Sequence, residues 1–243
     1  MEPIVVSLGG WCRPAWQARR VLGGEAAFPF DWQITSFAAL LHILSPDYRP
    51  ENALVPENCG PNRFGSVTDA ASGWIFQHDL EHSLLDLTPD GQGIDWTERS
   101  LATLAQTREK FAFLDRRFRE TCRDNPLTFI RWLRTHPDRE WPGAFEGEDP
   151  EKLLSSLRSL AGHDDVRIVY VTTVEVEGPN AESGFEVEPA SYGFSVVLHE
   201  ALKNFFAPNH WTGDSEAWDL LIPAIRDGFA QASQPDKASV TVG

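Results

Sequence analysis

Positive charge is what this sequence has least of. Its 21 Lys and Arg stand against 36 Asp and Glu, a formal net charge of −15 at pH 7. Nucleic acids and anionic membrane surfaces recruit basic patches, so neither is expected as a partner. Cysteine is scarce as well. Cys12, Cys59 and Cys122 lie far apart, with no Cys-x-x-Cys pair and no even disulfide framework. That usage fits a reducing cytosol, and a cytoplasmic location is expected. No apolar segment reaches the length of a membrane span, and no basic region precedes an apolar stretch at the N-terminus. No motif calls for a cofactor, and none is expected. Neither an internal repeat nor a linker divides the chain, so one domain is expected over residues 1–232, with a polar, frayed tail over 233–243.

What is present is an ordinary globular core and many tryptophans. The 243 residues are 42% apolar and include nine Trp, enough for one full-sized α/β domain. Ile4-Val5-Val6 is a short β-branched run that reads as a buried strand, broken by Gly9-Gly10. A helix follows from Pro14 to Leu22, with proline in its first turn and Gly23-Gly24 at its end. Thr35 or Ser36 caps a second helix over 37–44. Residues 45–72, rich in Pro, Asn, Gly and Ser, read as irregular surface. Thr97 opens a long helix with Leu101, Leu104, Phe111, Leu114 and Phe118 on one inward face. Strands are expected over 127–133 and 166–174, with a helix from Pro150 to Leu160 between them. Phe185 to Glu188 alternates like an edge strand, whereas 195–199 fits either a strand or the entry to a helix. Residues 215–231 form a closing helix, bent or restarted at Pro223. Continuous apolar strands alternating with helices point to a mainly parallel open sheet flanked by helices, Rossmann-like in its three layers. In such sheets ligands bind beyond the C-terminal strand ends.

Cys12 falls at that kind of place, on the turn between the first strand and the first helix. A helix N-terminus and the neighbouring Arg13 both favour a thiolate there, and the flanking glycines let a substrate approach the backbone. As a buried small hydrophobe, Cys12 would instead merely pack beneath the helix. Asp31 sits between Phe30 and Trp32, where a carboxylate needs a partner, and Arg19 and Arg20 are the nearest cations by sequence. Arg131 alternates among apolar strand residues and either pairs with a carboxylate or binds an anion. His78 and His82 are four apart, as zinc ligands on a helix would be, with Cys12, Asp31 or His210 as a third, but nothing in the spacing demands a metal. Asp214 or Ser215 caps the last helix.

Several of these motifs resemble those of a known family. Ser7-Leu8-Gly9-x-x-Cys12-x-x-Ala15, then Arg19-Arg20 and Pro29-Phe30-Asp31-Trp32, resembles the opening of the bacterial DUF1796 family, described as papain-like cysteine peptidases. Phe76-Gln77-His78-Asp79 is similar to that family's Phe-x-His-Asp element. Lys110 with Arg116-Arg117 and Phe129-Ile130-Arg131 is similar to its middle section, and Trp211-Thr212-Gly213-Asp214 with Trp218 to its C-terminal element. The resemblance implies a cysteine-dependent hydrolase or acyltransferase acting on an amide, ester or thioester. Cys12 would be the nucleophile and His78 the base, with Asp31 or Asp79 orienting the histidine. Gly10, Trp11, Arg13, Arg19, Arg131 and Trp32 are the candidate contacts to a small-molecule or peptide substrate. An open parallel sheet is not a papain fold, so the expected chemistry stands on a different architecture. Two other readings fit the residues: a sugar- or nucleotide-linked group transferase holding an anion at Gly9-Gly10 and the arginines, and a non-catalytic binding module.

Overall fold

The computed structural model describes residues 2–24, 26–62, 65–80, 85–133, 147–177, 181–201 and 214–229. In chain order these form β1 (Ile4–Ser7), α1 (Arg13–Leu22), α2 (Phe37–Leu44), β2 (Cys59–Pro61), β3 (Val67–Asp69), β4 (Trp74–Phe76), β5 (Asp86–Leu87) and β6 (Ile94–Asp95). Then follow α3 (Glu98–Asp124), β7 (Leu127–Leu133), α4 (Pro150–Ala161), β8 (Val166–Val176), β9 (Gly184–Ala190), β10 (Gly193–Ala201) and α5 (Ser215–Arg226). The main sheet runs β1-β7-β8-β10-β9, parallel except for the antiparallel edge strand β9. The fold is α/β, a mainly parallel open sheet flanked by helices.

Strand alternation builds the layers. Phe129, Ile168 and Tyr170 point to one face, into a core with residues of α2, α3 and α4. Ile130, Trp132, Val169, Val171, Val196 and Leu198 point to the other, against Ala18 of α1 and Trp218, Leu221, Ile222 and Ile225 of α5. Each such fully buried side chain contributes about 1.5–3 kcal/mol, so the two faces together commit the strands to the middle of the molecule.

Local chemistry sets the element ends. Gly23 takes the left-handed conformation at φ 70° and closes α1, with its N–H on the Arg19 carbonyl. Ser36 caps α2 through the Ala39 N–H, and Thr97 with Ser100 forms a capping box on α3. The stretch over 45–72 is more ordered than its composition implies. Residues 59–61 pair with 67–69, which pair with β4, as a small antiparallel sheet, because Val67 and Asp69 alternate inward with Trp74 and Phe76. Leu101 is exposed rather than inward. The buried face of α3 takes Ser100, Thr107 and Asp115 instead, alongside Leu104, Phe111, Leu114 and Phe118. Residues 195–199 are strand, part of β10, since they pair along β8 on one side and β9 on the other. Pro223 sits inside α5 without ending it, and Phe229, beyond the helix, is buried. The tail over 233–243 lies outside the described residues.

One polar side chain holds the strand ends in register with the segment that crosses them. Arg131 of β7 has no exposed surface. Its Nη1 donates to the carbonyls of Leu8 (3.1 Å) and Thr35 (3.0 Å), and its Nε and Nη2 bond Glu148 Oε1 at 3.1 and 2.6 Å. Tyr170 donates to the other Glu148 oxygen at 3.0 Å. A buried cation stripped of its partner carboxylate, or the reverse, costs about 3–5 kcal/mol. Arg131→Met should therefore lower unfolding stability by about that amount in urea titrations, and Glu148→Gln, which leaves the buried guanidinium without its counter-charge, should lower it comparably.

Candidate active site

Cys12 stands at the N-terminal cap of α1, just past the C-terminal end of β1. The chain reaches it through Gly9 and Gly10, at φ 73° and 85°, a backbone that side chains rarely adopt. A Cβ on Gly9 would meet Thr35 Oγ1 at 2.9 Å and the Phe30 carbonyl at 3.3 Å. The turn is thus pressed against the 28–36 segment, which has no room to give. The Cys12 carbonyl accepts the Trp16 N–H at 3.1 Å, so the residue is already part of the first helical turn.

The thiol is not the activated anion that its position alone predicts. Burial pushes it above the ordinary cysteine value, outweighing the backbone hydrogen bond and the Arg13 charge that pull it down. Arg13 is the charge that opposes burial, and it is itself held away from solvent. Its guanidinium is turned into the protein, where Nη1 lies 2.9 and 3.1 Å from the two Glu200 oxygens and the cation stacks over Trp132 at 4.5 Å. The other arginines expected around the thiol are similarly engaged. Arg19 pairs with Asp31, Arg20 with Asp219 at 2.6 Å, and Arg131 with Glu148. Each of Arg13, Arg19 and Arg131, expected to contact an anion or substrate, has a carboxylate partner here. Carboxylates already answer the charges that a phosphate would need. Burial likewise pushes Cys59 and Cys122 up to about 12.

His78, Asp31, Trp32 and Arg19 gather along the side of α1. The His78 ring meets Trp32 edge-on at 6.1 Å, and the Arg19 guanidinium lies over the same indole at 5.4 Å. Asp31 is buried, bonded to Arg19 and to the Phe28 N–H at 2.6 Å. Asp79 lies on the next strip of chain, accepting from Gln33 Nε2 at 2.8 Å and from Lys110. Gln33 also receives the Gln77 N–H at 3.2 Å, and Ile34 bridges to Ile75, so the 28–36 segment carries His78 on its outer side. No hydrogen bond joins His78 to Cys12, Asp31 or Asp79 among the described residues. Arg19 is seven residues along α1 from Cys12, roughly 10 Å of helix, so these residues form a neighbouring group rather than a closed triad. His82, His210 and Trp211 to Gly213 lie outside the described residues. Among the described residues no cluster of three or more His, Cys, Asp and Glu has the arrangement of a metal site. No helix among them is long and apolar enough to cross a membrane.

Glu200 is the site residue that composition and motif did not single out. It ends β10 with almost no exposed surface and accepts from Arg13, from Trp218 Nε1 at 3.0 Å and from the Asp214 N–H at 3.4 Å. The signal was available in the strand period. Val196, Leu198 and Glu200 share one face, and a carboxylate on a buried face must find a cation. Asp214 does cap α5, through the Glu216 N–H at 3.1 Å.

Burial raises the Asp31 carboxyl from 3.8 to about 6, against the opposing pulls of Arg19, the Phe28 N–H and Arg117. The folded chain therefore holds a proton on Asp31 between about pH 4 and about pH 6 that the unfolded chain has released. Its contribution to stability is full below the unfolded value and is lost as pH rises through about 6. The difference is worth roughly 3 kcal/mol. Asp31→Asn cannot titrate, so urea unfolding should show the variant gaining about 3 kcal/mol on the wild type across that window. Parallel stability curves for the two proteins would contradict the buried-carboxyl assignment.

The chain was compared with known proteins on this background. A family model described as "Putative papain-like cysteine peptidase (DUF1796)" matches residues 4–173. Neither the curated proteins nor the solved structures contain a match. The matched stretch runs from β1 into β8 and takes in Cys12, Asp31, His78, Asp79 and Arg131. It is well over half of the chain, and the chain belongs to the DUF1796 family, whose members carry that papain-like cysteine peptidase description.

Proposed function

We propose that the protein is a cysteine-dependent hydrolase or acyltransferase of the cytoplasm that opens an amide, ester or thioester through Cys12. The observation that carries this reading is the place of the thiol. It stands on a glycine turn at the N-terminus of α1, beyond the C-terminal end of a strand in a parallel sheet. Family membership supports the same chemistry.

Because burial keeps the thiol protonated, the reaction needs a base at the moment of attack. His78 is assigned that role. Its ring is exposed and carried by the segment that packs on the Cys12 turn. Once the His78 segment has closed onto the Cys12 turn, the imidazole takes the Sγ proton as sulfur bonds to the carbonyl carbon, and the carbonyl electron pair moves to oxygen. N–H groups of the Gly10 to Arg13 turn receive that oxyanion. Collapse expels the leaving group, which takes the proton from His78 and leaves a thioester on Cys12. Water then completes hydrolysis, or a second nucleophile completes transfer. Asp31 and Asp79 act at one remove, through Trp32 and Gln33, which hold the histidine segment in place.

A panel of aryl esters, thioesters and peptide anilides, followed by intact mass and peptide mapping, tests the assignment. A single acyl group should appear on Cys12 and vanish in Cys12→Ala. His78→Ala should slow acylation by about 10²–10⁴. Turnover that survives in Cys12→Ala would remove the thiol from the mechanism.

A further inference from the structure

The family match ends at residue 173, yet the corner beneath Cys12 is completed by chain that comes later. Arg13, the residue after the thiol, reaches across the strand ends to Glu200 at the end of β10. Against this pair lies Trp132 of β7, whose ring supports the guanidinium and whose Nε1 donates to Thr173 of β8 at 2.7 Å. Trp218 of α5 meets Trp132 edge-on at 6.5 Å and donates to Glu200. Glu200 is thus held from α1, from α5 and from the Asp214 backbone at once.

We propose that Glu200 is a positioning residue for Cys12: through Arg13 it pins the first turn of α1 over the strand ends and offsets part of the charge beside the thiol. This assignment rests on reading Cys12 as the nucleophile. Among the described residues, Arg13 of α1, Glu200 of β10, Glu175 of β8 and the buried Asp214 beside Glu200 are the charged groups of this corner. Arg13 favours the thiolate, and Glu200 and Glu175 act on Arg13. With Glu200 bonded to it, the guanidinium still pulls the thiol down, but by less than burial pushes it up. The resting thiol keeps its proton until a base removes it. An exposed, permanently ionised thiolate would be open to oxidation and unproductive alkylation, so the arrangement keeps the nucleophile quiet between turnovers.

The test is the pH profile of iodoacetamide alkylation at Cys12 on the full chain, read by peptide mass. In Glu200→Gln the Arg13 charge is no longer offset by Glu200, and the inflection should fall by about one unit. Glu200→Asp keeps the charge and should stay within about a few tenths of wild type. Glu200→Gln leaves a buried cation without its counter-ion; should it fail to fold, Glu175→Gln carries the test. That exposed residue supplies the other anion acting on Arg13, and its loss should lower the inflection by about a few tenths. Glu188→Gln, exposed on β9, should leave the profile in place. An inflection that is unmoved in every folded Glu200 and Glu175 variant overturns the assignment. Because alkylation does not need turnover, the two readings fail separately. A profile that moves with Glu200 while no acyl adduct forms on Cys12 removes the hydrolase reading alone. An adduct without any shift removes the Glu200 assignment alone.

Discussion

Everything at the C-terminal rim depends on Arg131. A guanidinium without exposed surface pays a desolvation cost of several kcal/mol, and only a full set of acceptors offsets it. Those acceptors include the Leu8 and Thr35 carbonyls and the Glu148 carboxylate. Leu8 is the last residue before the glycine turn, and Thr35 closes the segment that carries Asp31 and Trp32. Leu8 also donates its own N–H to the Ile130 carbonyl at 2.9 Å, so β1 is held to β7 up to the point where the chain turns away. The cation therefore fixes where the turn begins and where the crossing segment ends. An apolar residue at position 131 would leave the strand but remove the junction.

From that junction the 28–36 segment works as a strap. Its Thr35 hydroxyl accepts Trp74 Nε1 at 3.1 Å, and Ile34 pairs with Ile75, so the small sheet is bonded to the large one. Asp31 and Arg19 tie its other end to α1. The aromatic rings cluster along it: Phe30 meets Phe118 and Trp74, and Trp74 meets Phe76 and Phe111. Trp74 is thus explained by core packing. Trp32 is different. It lies at the edge, between a histidine and an arginine, where an indole face can also meet a substrate.

The sequence carried the main sheet well and its own rim less well. Ile4 to Val6, Leu127 to Leu133 and Val166 to Val174 are apolar on both faces, which only a covered parallel sheet requires. The helix ends could be read from Gly23, Ser36, Thr97, Pro150 and Gly162, because capping is local chemistry. Short strands at 59–61 and 67–69 could not, since three residues of Cys-Gly-Pro or Val-Thr-Asp have too little pattern to set against Pro, Asn and Gly neighbours. Leu101 matched the helical period and still lies outward, because α3 buries a polar strip of Ser100, Thr107 and Asp115 at its other turns. At the rim, residue types were legible and pairings were not. Arg13 and Glu200 are separated by 187 residues, and only the strand order β1-β7-β8-β10 brings them together.

That pairing changes what the Cys12 position means. A helix N-terminus and an adjacent arginine are two reasons to expect a thiolate, each worth about a kcal/mol or less where solvent or a counter-ion screens it. Removing a thiolate from water costs more than that, and Glu200 offsets part of the Arg13 charge. The sulfur therefore rests as a thiol beside donors that suit an anion. Those donors gain most when negative charge develops on the attacked oxygen, which is absent from the resting state and present in the transition state. On the proposed acyl transfer, such a site would give up a standing population of thiolate and keep its electrostatic stabilisation for the step where the bond forms.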